Sequence, residues 1–189
     1  MKLPVYIYGH PVLRRETVPV TPDYPELPKL IDDMFETMYA ADGCGLAAPQ
    51  VGLSIKLVVI DADVLKDQFP ECAGRKMVLI NPEVEVLDGE ECSRSEGCLS
   101  LPGLSENVNR VEHIRLRWLD ENFQPHEEEM SGFLSRCVQH ECDHLNGKVY
   151  MDHVSATRKL LIRNKLRNLM EGKFSCDYKV KTAAHGKRR

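Results

Sequence analysis

The stretch from Phe133 to Leu145 constrains this chain most, because it combines a helical apolar stripe with groups that cannot be left bare in a core. Phe133, Leu134, Cys137, Val138 and Leu145 recur at three and four, and residues 141 and 144 fall on the same face. Ser131 stands where an N-cap is expected and Asn146-Gly147 where a helix stops. Within this helix, His140-Glu141-Cys142-Asp143-His144 forms the HExxH pattern. At about 100° per residue the two histidines lie about 40° apart in projection and one turn apart along the axis, so both imidazoles can reach one ion. Glu141 is then close enough to share a water with that ion. Two imidazoles and a carboxylate facing a core each need a partner, and one metal with its water supplies all three. The competing reading is a core polar cluster satisfied by hydrogen bonds alone.

Two ligands are too few for a catalytic zinc or iron site, where three plus an open position is usual. Downstream, Asp152, His153 and Glu171 offer donors; His153 follows too closely on a helix stopped by Gly147, while Glu171 stays open. Upstream, Glu96-Gly97-Cys98-Leu99-Ser100 sets a cysteine in a glycine-containing turn that can present a thiolate and leave the next N–H exposed. Alone, Cys98 reads as a small buried hydrophobe; beside HExxH it is the preferred third ligand. A further segment, Gly43-Cys44-Gly45-Leu46-Ala47-Ala48-Pro49-Gln50, is small enough for a substrate backbone to approach, and Gln50 can donate an amide N–H. Its plainer reading is a tight turn with a surface glutamine.

The rest of the chain supplies the frame. Leu27, Leu30, Ile31, Met34 and Met38 predict a helix over 26–41; residues 56–60 and 77–80 read as buried strands joined by a loop over 61–76. Residues 113–118 alternate as a strand with one wet face, and 155–171 read as a helix with Leu160, Leu161, Leu166 and Leu169 inward. Strands followed by helices predict an α+β domain over 1–172, and the aperiodic stretch 173–189 is expected to be a disordered basic tail. Seven cysteines at irregular spacings suggest reduced thiols rather than a disulfide framework. No apolar run approaches the roughly 20 residues that span a bilayer, and a cytoplasmic protein is expected. The net charge of −4 is uneven: residues 156–189 hold 11 of the 25 Lys and Arg but only Glu171 and Asp177 as acids. Such an end suits an anionic partner or a merely solvated face.

Together the three motif segments resemble the signature of the peptide deformylases, G-apolar-G-apolar-A-A-P-Q, then E-G-C-L-S, then Q-H-E-x-D-H. The second and third are complete here, including Gln139 and Asp143; the first departs at Cys44, where a larger apolar residue is usual. Ile7-Tyr8-Gly9-His10-Pro11-Val12-Leu13-Arg14 is also similar to that family's N-terminus, so the likeness runs from about residue 3 to 170. It implies antiparallel sheets around a central metal-bearing helix, flanked by an N-terminal and a C-terminal helix. It implies an enzyme that removes the N-formyl group from the initiator methionine of nascent polypeptides. Cys98, His140 and His144 would hold one divalent metal, Fe(II) in many bacterial members, with zinc, nickel or cobalt also suited. Glu141 would be the acid/base, the Leu99 N–H and the Gln50 amide the oxyanion donors, and Cys44, Gly45 and Cys137 the surroundings of the methionine side chain. The basic last helix, with the basic tail, would dock near the ribosomal exit tunnel. Asp143 is expected to pair with Arg110. Two other readings stay open: an HExxH peptidase with a downstream carboxylate ligand, and a non-catalytic protein stapled by a closed Cys₂His₂ site.

Overall fold

The run Leu57–Asp61 becomes a strand covered on both sides, with Leu57 and Val59 packed in one apolar cluster and Val58 and Ile60 in another. Side chains alternate across a strand, so an unbroken apolar run requires a layer on each face. The computed structural model describes residues 1–183 and supplies those layers. In chain order the elements are β1 (Val5–Tyr6), α1 (Leu27–Ala40), β2 (Gly45–Ala47), β3 (Leu57–Asp61), β4 (Lys76–Val86), β5 (Glu91–Gly97), β6 (Ser105–Val111), β7 (His113–Leu119), β8 (Pro125–Ser131), α2 (Gly132–Leu145), α3 (Ala156–Leu161), α4 (Arg163–Met170) and β9 (Val180–Lys181). Short 3₁₀ turns join several of them, including Ala48–Val51 and Tyr150–His153.

An antiparallel sheet in the order β2-β3-β4-β7-β8 forms the middle layer. On one side α1 lays Leu27, Ile31, Met34 and Met38 against Leu57, Val59 and Ile80. On the other, α2 lays Leu134, Val138, Cys142 and Leu145 against Val58, Ile60, Ile114 and Leu116. The expected α+β arrangement is thus present, with α2 as the central helix. The β5–β6 hairpin stands apart from the sheet. Beneath it a third cluster gathers Leu101, Leu104, Val108, Tyr150, Ile162, Leu166 and Leu169.

Two expectations fail at the C-terminal end. The last helix is broken at Ile162, whose backbone (φ −99, ψ 8) leaves the helical region and separates α3 from α4. The break changes the helical phase, so Leu160 and Leu161 are 60% and 71% exposed and Ile162 takes the core position instead. Residues 173–183 are not disordered. Phe174 packs on the third cluster, the Tyr178 hydroxyl donates to the Leu99 carbonyl at 2.7 Å, and β9 pairs in parallel with β1. The edge of β1 offers its N–H groups: Val5 N donates to Lys179 O at 2.8 Å and Ile7 N to Lys181 O at 2.9 Å. The remaining part of the expected tail, residues 184–189, lies outside the described residues.

Candidate metal centre

Helix α2 enters from β8 through Ser131, which occupies the N-cap position but makes no side-chain cap. The Phe133 N–H, one of the helix's orphan donors, is taken instead by Glu71 Oε1 at 2.8 Å. One face of α2 packs on the sheet; His140, Glu141 and His144, all buried, lie along its inner length. The chain leaves β5 at Gly97 and turns, so that Cys98 faces the two histidines. One donor atom from each of Cys98, His140 and His144 lies within 4.8 Å of the others, and Cys98 Sγ is 3.4 Å from His144 Nε2. A tetrahedral ion with metal–sulfur and metal–nitrogen bonds of about 2.3 and 2.0–2.1 Å would set such a pair about 3.5 Å apart. Glu141 Oε2 and His144 Nδ1 are buried without a hydrogen-bond partner among the described residues. A thiolate, two imidazoles and an unpartnered carboxylate facing one point fit a divalent cation and its water.

The other upstream and downstream candidates are accounted for elsewhere. His153 Nε2 sits 2.8 Å from Asp143 Oδ2, Asp152 takes Arg14 at 2.5 Å, and Glu171 pairs with Lys173 at 2.6 Å. None of the three joins the Cys98 cluster.

A buried charge network holds the ligands in place. Glu96, two residues before Cys98 on β5, accepts from Arg110 Nε at 2.7 Å, from Arg136 Nη2 at 2.9 Å and faces His140 Nδ1 at 3.0 Å. Burial pushes the Glu96 carboxyl up, but the hydrogen bonds from His140 and Arg110 overcome it and hold the group down at about 2. An ionised Glu96 at Nδ1 fixes the His140 tautomer and leaves Nε2 as the lone-pair donor. Arg110 also reaches Asp143 at 3.0 Å, as expected from the sequence. Burial and the neighbouring His140 charge press His144 down to about 3, so it presents a neutral ring. Burial drives Glu141 the other way, to about 7, against the opposing effect of His140. For His140 burial lowers the pKa, but hydrogen bonds with Cys98 and Glu96 win and raise it.

The glycine-rich segment serves the same point. Gln50, in the Ala48–Val51 turn, accepts the Ala47 N–H on Oε1 at 2.8 Å, which turns its Nε2 toward Cys98 Sγ and Ser100 Oγ, both at 3.3 Å. Gly45 has a more specific duty than the open approach expected of it: a Cβ there would lie 2.6 Å from Glu141 Oε1. Gly45→Ala is therefore expected to displace the Glu141 carboxylate and lower turnover while thermal unfolding shifts little; unchanged turnover would show that the carboxylate has room to move. Cys44 and Cys137 sit together, Sγ to Sγ 3.9 Å. With Gly45, Cys98 and Glu141 they line a cleft of about 680 Å³, whose far side is walled by Cys176 and Tyr178 of the C-terminal arm. Leu99 also lines it, next to the Cys98 thiol.

Sequence reasoning gave no role to Glu96 or Arg136, and placed the arm in a basic tail for an anionic partner rather than at the cleft. Glu96 lay inside a motif already singled out, and its place just before Cys98 in that motif was the available signal. The arm carries no comparable mark.

A buried HExxH helix completed by a thiolate, with a carboxylate beside the three donors, defines a metal-dependent hydrolase. A family model described as polypeptide deformylase matches residues 2–160. A peptide deformylase of Flavobacterium psychrophilum is 44% identical over 188 residues, covering 96% of this chain and 97% of its own. One of Flavobacterium johnsoniae is 42% identical over 196 residues and covers both chains fully. Among solved structures, a peptide deformylase from Legionella pneumophila aligns with a TM-score of 0.77 at 38% identity, over 89% of this chain and 95% of that one. One from Synechococcus elongatus in complex with actinonin aligns with a TM-score of 0.76 at 38% identity, over 96% and 92%. The chain belongs to the polypeptide deformylase family.

Proposed function

We propose that Cys98, His140 and His144 hold one divalent metal, natively Fe(II), and that Glu141, Gln50 and Leu99 carry out the family's reaction, removal of the formyl group from the N-formylmethionine of nascent peptides. The observation that carries this reading is the convergence of three donor atoms within 4.8 Å beside the unpartnered Glu141 Oε2. A divalent cation there supplies Lewis acidity, bringing the pKa of its water toward 7. Glu141 accepts the proton of the attacking water and returns it to the leaving nitrogen, general base and then general acid in one carboxylate. The Leu99 N–H and the Gln50 amide, oriented by its own bond to Ala47, donate to the oxygen that gains charge. The formyl C–N bond gives way to a C–O bond, leaving formate and a free α-amine. Cys44, Gly45 and Cys137 bound the space for the methionine side chain, beside the buried Glu141.

Residues 1–172 would act as one catalytic domain in the cytoplasm; no helix among the described residues is long and apolar enough to cross a membrane. The test is formate release from formyl-Met-Ala by anaerobically purified protein, run with metal analysis and a Cys98→Ala control. Release that disappears with Cys98, together with the metal, is expected; metal retained by Cys98→Ala would remove the third ligand from this reading.

The exposed cations of α3 and α4 support docking on ribosomal RNA. Arg158 is engaged by Glu106 at 2.6 Å, while Arg163 and Lys165 are exposed, Lys159 is half-buried, and none of the three has a carboxylate within salt-bridge distance among the described residues. Ile162, Leu166 and Leu169 belong to the core, so deleting the helices would damage the fold. Charge reversal of Lys159, Arg163 and Lys165 is the cleaner variant: co-sedimentation with ribosomes should fall and lose its salt dependence, since each phosphate contact steepens that dependence. Co-sedimentation unaltered by the triple reversal would exclude this face.

A further inference from the structure

Among the residues that line the cleft, Cys44 and Cys137 are the pair that the deformylation chemistry leaves unused. One precedes β2 and the other lies on α2, yet their sulfurs are 3.9 Å apart. Cys44 replaces the larger apolar residue of the signature, and without it Cys137 would face only a hydrocarbon. A disulfide needs the sulfurs at about 2.05 Å, so they must approach by about 2 Å from where they stand. Cys137 is 7% exposed, and Cys44, half-buried, stands in the open cleft where a small solute can reach it. The hydrogen bond from Cys137 holds the Cys44 thiol down at about 7, against the effect of burial, while Cys137 itself is raised. One partner thus has thiolate character and the other keeps its proton, the division of labour between an attacking and a resolving thiol.

We propose that Cys44 and Cys137 form an oxidative modification site in the cleft, which hydrogen peroxide converts to a disulfide that narrows the space beside Glu141. The Cys44 sulfur attacks one peroxide oxygen and the O–O bond breaks, giving a sulfenic acid and water once the departing hydroxide takes a proton. The Cys137 sulfur then displaces the hydroxyl from that sulfenic sulfur, the S–S bond forms, and a second water leaves. Two thiols lose two electrons and two protons in all, and one peroxide is reduced to two waters. Two other buried cysteines lack this chemistry: Cys142 has its thiol pushed up by burial, and Cys72 has its thiol pushed up to about 11. The effect on turnover, unlike the cross-link itself, rests on the assignment of this space to the methionine side chain.

The test treats the metal-loaded, full-length protein with a small excess of hydrogen peroxide, blocks the remaining thiols with iodoacetamide, and maps the peptides by mass spectrometry with fragmentation to separate Cys137 from Cys142. A linked pair of peptides joined at Cys44 and Cys137, reversed by dithiothreitol and absent in Cys44→Val, is expected. Formate release from formyl-Met-Ala should fall about tenfold or more with the cross-link, as a hydrophobic pocket loses its fit, and return on reduction. Cys44 and Cys137 recovered singly alkylated, while Cys98 or another cysteine is oxidised, would overturn the proposal. A reversible cross-link with undiminished turnover would uphold the modification site and reject only the methionine assignment of the space it narrows.

Discussion

Glu141→Gln is expected to lower kcat for formate release by about 10²- to 10⁴-fold, the contribution of a positioned general acid–base, while one metal per chain stays bound. The amide has nearly the shape of the carboxylate, so it fits the space that Gly45 leaves open, and the fold should tolerate it. It cannot accept a proton. The native carboxylate is buried, and one of its oxygens has no hydrogen-bond partner among the described residues. Keeping such a group costs stability, because an unsatisfied buried polar atom is unfavourable. The variant should therefore unfold at an equal or higher temperature than the parent, which separates a catalytic loss from a structural one. Turnover within a factor of a few of the parent, with metal present, would exclude Glu141 as the acid/base.

The second large effect concerns a residue that need not touch substrate. Glu96→Ala leaves Arg110 and Arg136, 5% and 2% exposed, without their shared carboxylate. Removing one partner of a buried ion pair typically costs about 3–5 kcal/mol. Arg110 keeps Asp143, and Arg136 keeps Glu112 and the Val108 carbonyl, so the lower end of that range is expected. The same change frees His140 Nδ1, and loss of such a support commonly weakens metal binding about 10- to 100-fold. Urea unfolding of the metal-free protein reads the first effect and competition with a chelator the second. A stability change below about 1 kcal/mol, the scale of an exposed pair, would mean that the arginines relax to other partners.

How much of this was legible depended on how locally each feature is encoded. The ligand helix was readable because HExxH and the stripe from Phe133 to Leu145 share one period, and β3 because Leu57 to Ile60 is apolar without a break. Strands β5, β6 and β8 were missed because their residues are mostly polar and carry no unbroken apolar run, although each pairs with a neighbouring strand in sequence. Glu127 and Glu129 on β8 carry no apolar signal of a strand, and their partners Arg117 and Arg115 are brought directly opposite only by the pairing with β7. Such cross-strand pairs are a property of register, which a single segment does not contain. Cys98 could be selected as a candidate ligand only in the company of His140 and His144, and the orientation of Gln50 came only with its bond to Ala47. The break at Ile162 has no proline or glycine to announce it, so Leu160 and Leu161 were assigned to the wrong face.

The parallel pairing of β9 with β1 also orders events in time. Every partner of the arm, from Val5 through Leu99 to the core beneath Phe174, leaves the ribosome before the arm does. The three candidate metal donors can therefore assemble on an incomplete cleft, and the side formed by Cys176 and Tyr178 is added only when residue 181 has emerged. During its own synthesis the protein passes through a stage in which the chemistry is in place and the enclosure is not.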